Sequence, residues 1–309
     1  MKSVAPGSAT IAFVGTGVMG RPMAGHVLDA GYDVVVFNRT PERARDLVER
    51  GATRASSAGE AANAADVVIT IVGYPADVEE VYFAPGGILE RIRPGSIVID
   101  MTTSSPVLAQ RIAAEASARG AAALDAPVSG GDVGARNATL TIMAGGDSDV
   151  FAQVEPLLRV MGRSVLLQGG SGAGQHAKLA NQIAIAGSML ATVESLAYAR
   201  AAGLDPWRVL DSIGAGSAAS WSLENLAPRM LKEDFAPGFF VKHFLKDMRI
   251  ALESAESLGL ELPGLVLAKQ LYDRLADEGG TELGTQALWL LYGDDTLGQT
   301  AGLVGDSWW

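Results

Sequence analysis

The sequence predicts an α/β chain, with a doubly wound sheet in its first half and an all-α domain in its second, joined by one long helix. Three observations carry this. From Thr10 to about Gln168, short β-rich runs alternate with helical stretches. Those runs are apolar throughout rather than alternating, as expected of strands buried on both faces of a parallel sheet. A glycine-rich passage, GGSGAG at 169–174, then ends the rhythm, and no convincing strand follows it.

In order, the strand candidates are TIAFV, YDVVVF, DVVITIV, GSIVID, AALDAPV, TLTIMAGG and SVLLQ. Between them, Thr40-Pro41 opens the helix PERARDLVERG, which closes on Gly51. Ser105-Pro106 opens another that runs through Arg119 and closes on Gly120. Beyond the glycine-rich passage, His176 to about Ala202 contains no proline. At a helical rise of 1.5 Å per residue this segment is about 40 Å long, enough to connect two domains and line a cleft. Further helices are expected near Pro206 and Leu223, and over 243–258, 263–277 and 285–292. The tail GDDTLGQTAGLVGDSWW, ending in Trp308-Trp309, reads as irregular.

The totals exclude several functions. The 309 residues are 48% hydrophobic and 19% charged, which suits a soluble globular protein. With 24 Lys+Arg against 35 Asp+Glu the net charge is -11. Nothing therefore draws the molecule as a whole to nucleic acid or an anionic membrane, and any anion needs a local site. No cysteine is present, which removes disulfides, thiolate metal sites and thiol nucleophiles and fits a reducing cytoplasm. The opening MKSVAPGSAT lacks the apolar run of a signal peptide. IAIAGSMLATV (183–193) is too short to span a bilayer and reads as a buried helix. His26, His176 and His243 lie without ligand spacing, so no metal site is expected.

Directly after TIAFV stand Gly15, Thr16, Gly17, Val18, Met19 and Gly20, which match GxGxxG, and a helix candidate follows. The glycines allow a tight turn, backbone approach to a pyrophosphate and close packing of helix on strand, while the helix N-terminus attracts the anion. The first half thus reads as a Rossmann-type dinucleotide-binding domain, residues 1–170, and residues 171–309 as an all-helical domain. The second strand ends in Asn38, Arg39 and Thr40, where an NAD-binding fold usually carries an acid. Asn38 cannot repel a 2′-phosphate, and Arg39 and Thr40 can bind one, so NADP(H) is expected over NAD(H).

At the end of a later strand, Ser129, Gly130 and Gly131 offer a hydroxyl and backbone N–H groups together, which suits a carboxylate. In the long helix Lys178 and Asn181 stand at i and i+3, on one face. The neighbours Ala177, Leu179, Ala180, Ile183 and Ala184 predict a buried flank, and desolvation would make Lys178 a usable proton donor and acceptor near neutrality. The pair Lys246-Asp247, read alone, is a surface salt bridge.

Five stretches in this order, IAFVGTGVMGRPMAGHVLDAG, DMTTSSP, DAPVSGG, GAGQHAKLANQ and KDMRIA, resemble the β-hydroxyacid dehydrogenases, the family of 3-hydroxyisobutyrate dehydrogenase and the semialdehyde reductases. The resemblance covers nearly the whole chain up to the tail. It implies that Lys178 is the catalytic acid/base, that Asn181 holds the substrate, and that Ser129, Gly130 and Gly131 bind its carboxylate. It also implies that Lys246 lies near nicotinamide and substrate, that Val72, Gly73 and Thr103 line the nicotinamide end, and that the protein is a homodimer or homotetramer. The sequence departs from common members at Gly73-Tyr74 and over 132–137, where substrate-specific residues fall. Two rivals are an imine reductase, whose members generally lack a lysine at the position of Lys178, and a non-catalytic cofactor-binding module.

Overall fold

The structure, a computed structural model, describes residues 4–293. The chain forms two compact units that divide between Ala180 and Asn181.

In the first unit the elements are β1 (Thr10–Val14), α1 (Gly20–Asp29), β2 (Asp33–Phe37), a 3-10 turn (Pro41–Ala44) leading into α2 (Arg45–Glu49), β3 (Thr53–Arg54), α3 (Ala58–Ala64), β4 (Val67–Thr70), α4 (Pro75–Phe83), α5 (Ile88–Arg91) and β5 (Ile97–Asp100). They continue with α6 (Pro106–Ala118), β6 (Ala122–Asp125), β7 (Val128–Ser129), α7 (Gly131–Arg136), β8 (Leu140–Gly146), α8 (Ser148–Arg159) and β9 (Gly162–Gly169). The sheet order is β3-β2-β1-β4-β5-β6-β8-β7, with β9 paired to β8. From β3 to β6 every pairing is parallel. This is the doubly wound order whose ligand crevice opens beyond the carboxyl ends of β1 and β4, where the strand order reverses.

Every residue of β4 and β5 is buried, which explains why these strands read as unbroken apolar runs. Alternate side chains feed two cores. Ile11, Phe13, Ile69 and Ile99 enter one, and Ala12, Val14, Val68 and Val98 the other. The parallel pairing that the apolar runs suggest does not extend to the far edge. There β8 runs antiparallel to β6 and β7, and β9 lies parallel to β8. With one face open, β9 shows a mixed pattern, and its Leu166 is 57% exposed. Of the two proline-led helix starts, Ser105-Pro106 behaves as read, with Ser105 Oγ accepting the Leu108 N–H and Gly120 closing α6 at φ +70°, whereas Thr40-Pro41 opens a 3-10 turn ahead of α2 and Thr40 makes no side-chain cap bond.

The long helix α9 (Ala173–Ala201) begins in the first unit, three residues ahead of its expected start. In the second unit follow α10 (Pro206–Gly214), α11 (Trp221–Asn225), α12 (Ala227–Leu231), α13 (Val241–Ser257) and α14 (Pro263–Asp277), then 3-10 turns at Gly280–Glu282 and Thr285–Tyr292. The last of these was expected as an α-helix. The only β pairing described there is a single bridge between Phe240 and Gly284. Tyr272, fully buried on α14, closes this unit's core by donating to the Thr285 carbonyl and packing edge-on against Phe244. No helix among the described residues is long and apolar enough to cross a membrane. Trp308-Trp309 lie outside the described residues.

Candidate active site

In the first unit the loop from Gly15 to Gly20 sits at the strand-order reversal. Gly15 has φ +99°, and a Cβ there would overlap the Ile71 carbonyl just beyond β4. A Cβ on Gly20 would overlap the Gly15 carbonyl, so α1 can leave the turn only from a glycine. Gly17 differs, since a Cβ on it would meet nothing within 4 Å. The Thr16 hydroxyl is 1% exposed and has no hydrogen-bond partner among the described residues. Open backbone at Gly17, a buried hydroxyl lacking a protein partner and the start of α1 together fit a pyrophosphate.

Asn38 braces this loop. Its Oδ1 accepts the Thr16 N–H at 2.9 Å, and its Nδ2 donates to the Thr40 carbonyl at 2.8 Å. The Arg39 side chain is 80% exposed, with its guanidinium 3.4 Å from Asp77 and 4.0 Å from Glu80. Exposed pairs of this kind contribute about 0–1 kcal/mol and do not hold the arginine against a better anion.

Polar residues that the sequence reading passed over wire the neighbouring strand ends. Asp100, buried at the end of β5, accepts from the Thr70 hydroxyl at 2.8 Å and the Thr102 N–H at 3.1 Å, both on Oδ1. Thr102 Oγ1 in turn accepts the Val72 N–H at 3.0 Å, so the two nicotinamide-end segments expected from the sequence are tied together. Gly73 and Thr103 are half-buried beside these anchors. Burial raises the Asp100 carboxyl to about 6, against the hydrogen bonds of Thr102 and Thr70, with Asp125 adding to the rise. Burial and then Asp100 also push the Tyr82 phenol well up.

A raised folded-state pKa contributes stability below the unfolded value near 4, and that contribution is lost as pH climbs through about 6. Relative to wild type, Asp100→Asn keeps an oxygen for both donors and loses the ionisation. The variant should therefore gain stability over wild type between pH 4 and 7, by about 3 kcal/mol at neutrality. Urea melts of both proteins across that range check this, and parallel curves would refute it.

Ser129 ends β7, with Gly130 at φ +129° and Gly131 at φ +61° leading into α7. Both glycines adopt backbone that other residues rarely take, which is what lets successive N–H groups share one side. Asp132 follows at once and holds Arg136 at 2.6 Å.

Lys178 is 6% exposed. Because α9 starts at Ala173, Lys178 lies beyond the first turn, where the helix dipole bears little on its charge. The expected buried flank holds at Leu179 but not at Ala180 or Ala184, which are exposed.

In the second unit, Asn181 Nδ2 donates to Gln182 Oε1 at 2.7 Å, and Gln182 Nε2 donates to Asp247 Oδ2 at 2.7 Å. Asp247 Oδ1 faces Lys246 Nζ at 3.1 Å as an ion pair without hydrogen-bond alignment. These two side chains are 6% and 2% exposed, so the reading of a surface salt bridge is wrong. Their neighbours make the pair internal, because α13 turns Phe244, Met248 and Ala251 inward on the same face. Gln182 and Asp247 were thus missed as members of a buried polar chain that includes Asn181 and Lys246.

A doubly wound sheet with a glycine turn fit for pyrophosphate defines a dinucleotide-binding protein. The helix that leaves that sheet carries a buried lysine, with a half-buried carboxamide three residues further on. Comparison with known proteins narrows the class. Residues 10–170 match the NAD binding domain of 6-phosphogluconate dehydrogenase, and residues 172–292 match the NAD-binding domain of NADP-dependent 3-hydroxyisobutyrate dehydrogenase. A probable mitochondrial 3-hydroxyisobutyrate dehydrogenase-like protein of Arabidopsis thaliana is 50% identical, over 93% of this chain and 86% of its own. The 2-hydroxy-3-oxopropionate reductase of Escherichia coli is 39% identical, over 90% of this chain and 95% of its own. Among solved structures, Mycobacterium tuberculosis 3-hydroxyisobutyrate dehydrogenase with L-serine superposes with a TM-score of 0.85 at 32% identity, covering 91% of this chain and 98% of that one. The chain belongs to the 3-hydroxyisobutyrate dehydrogenase family of NAD(P)-dependent oxidoreductases.

Proposed function

We propose that this protein interconverts a small 3-hydroxy acid and its semialdehyde with NADP(H), using Lys178 as general acid/base. The observation that carries this reading is the burial of Lys178, at 6% exposure, one turn beyond a helix start packed on the cofactor-type sheet. Residues 1–170 serve as the dinucleotide-binding domain and 171–309 as the substrate and oligomerisation domain of a cytoplasmic homodimer or homotetramer.

The nicotinamide, when bound, exchanges hydride with the carbinol carbon of the substrate. The backbone of the loop 15–20 would hold the pyrophosphate, and Val72, Gly73 and Thr103 would line the nicotinamide end. Ser129 with the N–H groups of Gly130 and Gly131 fixes the substrate carboxylate, and Asn181 and Lys246 orient its reacting end. In reduction the Lys178 ammonium donates a proton to the developing alkoxide, and in oxidation the neutral amine takes it back. A retained lysine favours this chemistry over imine reduction or a purely binding role.

Preference for NADP(H) rests on Asn38, Arg39 and Thr40. Arg39 is itself exposed, 3.4 Å from the half-buried Asp77 and 4.0 Å from the exposed Glu80, and can turn to a 2′-phosphate at little cost. Arg39→Ala should raise KM for NADPH by about tenfold, the value of a charge-assisted bond, and barely change that for NADH.

The test is NADPH and NADH oxidation with succinic, tartronate and methylmalonate semialdehydes and glyoxylate, beside a cyclic imine. Turnover of a carboxylate-bearing aldehyde with NADPH is expected. Turnover of the imine alone, or NADPH binding without turnover, would replace the proposal with one of its rivals.

A further inference from the structure

Two buried side chains at the joint between sheet and long helix have no part in the reading above. Asp125, at the end of β6, is 3% exposed, and Gln175, in the first turn of α9, is 0% exposed. Asp125 accepts the Gly172 N–H on Oδ1 and the Gln175 N–H on Oδ2, each at 2.7 Å. It therefore satisfies two of the donors that a helix start leaves open, and its charge complements the helix dipole. Gln175 then reaches to the loop after β5. Its Oε1 accepts the Ser104 N–H at 2.8 Å and its Nε2 donates to the Thr102 carbonyl at 2.7 Å.

A carboxamide is the side chain that offers donor and acceptor side by side, and here both are spent on one loop. The approach is close enough to require glycine. A Cβ on Gly145 would stand 2.6 Å from Asp125 Oδ1, and one on Gly174 2.7 Å from the Asp125 carbonyl. The loop so held carries Thr103, and through Thr102 Oγ1 it also holds Val72. Lys178 follows Gln175 by three residues, one turn along the same helix.

We propose that Asp125 and Gln175 form a positioning clamp that sets the height of Lys178 against the loop 101–105, so that the proton-transfer lysine and the nicotinamide-side loop move as one body. The clamp's catalytic consequence rests on the reading of Lys178 as acid/base; its mechanical part does not. Neither residue touches substrate. Each acts through what it holds, and a misplacement of about 1 Å in such a support costs roughly a hundredfold in rate.

The test compares wild type with Gln175→Ala, Gln175→Glu and Asp125→Asn. Hydrogen exchange in the cofactor-free protein is read over 101–105 and 172–178, together with NADPH affinity and the separate kcat and KM. Gln175→Ala should speed exchange in both segments and leave β1 and β2 unchanged. It should keep NADPH affinity and KM, and lower kcat by about tenfold to a hundredfold. Gln175→Glu supplies a signature that loosened packing would not. Only the protonated acid can donate to the Thr102 carbonyl, so slow exchange and kcat should both recover as pH falls. Asp125→Asn turns one acceptor into a donor facing an N–H, and should release 172–178 first.

Unchanged exchange in either segment of Gln175→Ala would overturn the clamp, as would acceleration throughout the first unit or a Gln175→Glu variant that tracks wild type at every pH. If the exchange results appear but wild type turns over no semialdehyde, the proposed reaction fails and the mechanical clamp stands. If wild type turns over and the exchange results fail, only the clamp falls.

Discussion

Lys178→Met should lower kcat for semialdehyde reduction by about a hundredfold to ten-thousandfold, the range expected when a general acid is removed, with NADPH affinity little changed. Methionine matches the lysine stem in length and volume, so the buried position stays filled and no cavity opens. Lys178→Arg separates charge from proton transfer. A guanidinium keeps the positive charge but does not give up a proton near neutrality, so this variant should be nearly as slow. If the arginine variant instead kept most of the rate, Lys178 would act as a fixed charge and not as an acid. Full activity in Lys178→Met would remove the residue from the chemistry. The comparison needs kcat and KM separately, because a loss in KM alone would mean lost binding.

Much of the candidate site could be proposed from the sequence because its motifs are local in the chain. The glycine turn, the NRT strand end, Ser129 with its glycines and the Lys178–Asn181 pair each fall within a few residues, and each has a physical requirement that a short window displays. What escaped was relational. Gln175 bonds to Thr102 and Ser104 across more than seventy positions, and Gln182 finds Asp247 across sixty-five. A lone glutamine on a helix carries no periodicity, and its partners are set only when the strands are ordered. A faint signal did exist, because Asp100 and Asp125 are charged ends to otherwise apolar strands. A carboxylate at such a place is expected to be bonded. The edge strands failed for a different reason. TLTIMAGG is apolar enough to pass for a buried parallel strand yet runs antiparallel to β6, because direction within a sheet is not encoded in the apolar pattern of one strand.

The contrast between Gly15→Ala and Gly17→Ala should divide folding from cofactor binding. At Gly15 the backbone has φ +99° and a Cβ would overlap the Ile71 carbonyl, so alanine must both strain the turn and push β1 and β4 apart. A loss of about 2–4 kcal/mol in stability is expected, visible as a lower urea midpoint, with cofactor affinity falling as a consequence. At Gly17 the added methyl meets no protein atom within 4 Å, and alanine even restricts the unfolded chain, so stability should hold or rise slightly. In the proposed cofactor placement the same methyl stands where the pyrophosphate would approach the backbone. Gly17→Ala should therefore weaken NADPH by about a hundredfold, close to 2.7 kcal/mol, in a protein that melts like wild type. Tryptophan or NADPH fluorescence titration beside the melts reads both effects. Wild-type affinity in Gly17→Ala would move the pyrophosphate off this turn and take the cofactor orientation with it. An unchanged midpoint in Gly15→Ala would mean that the turn yields more easily than a contact between two strand-end backbones should allow.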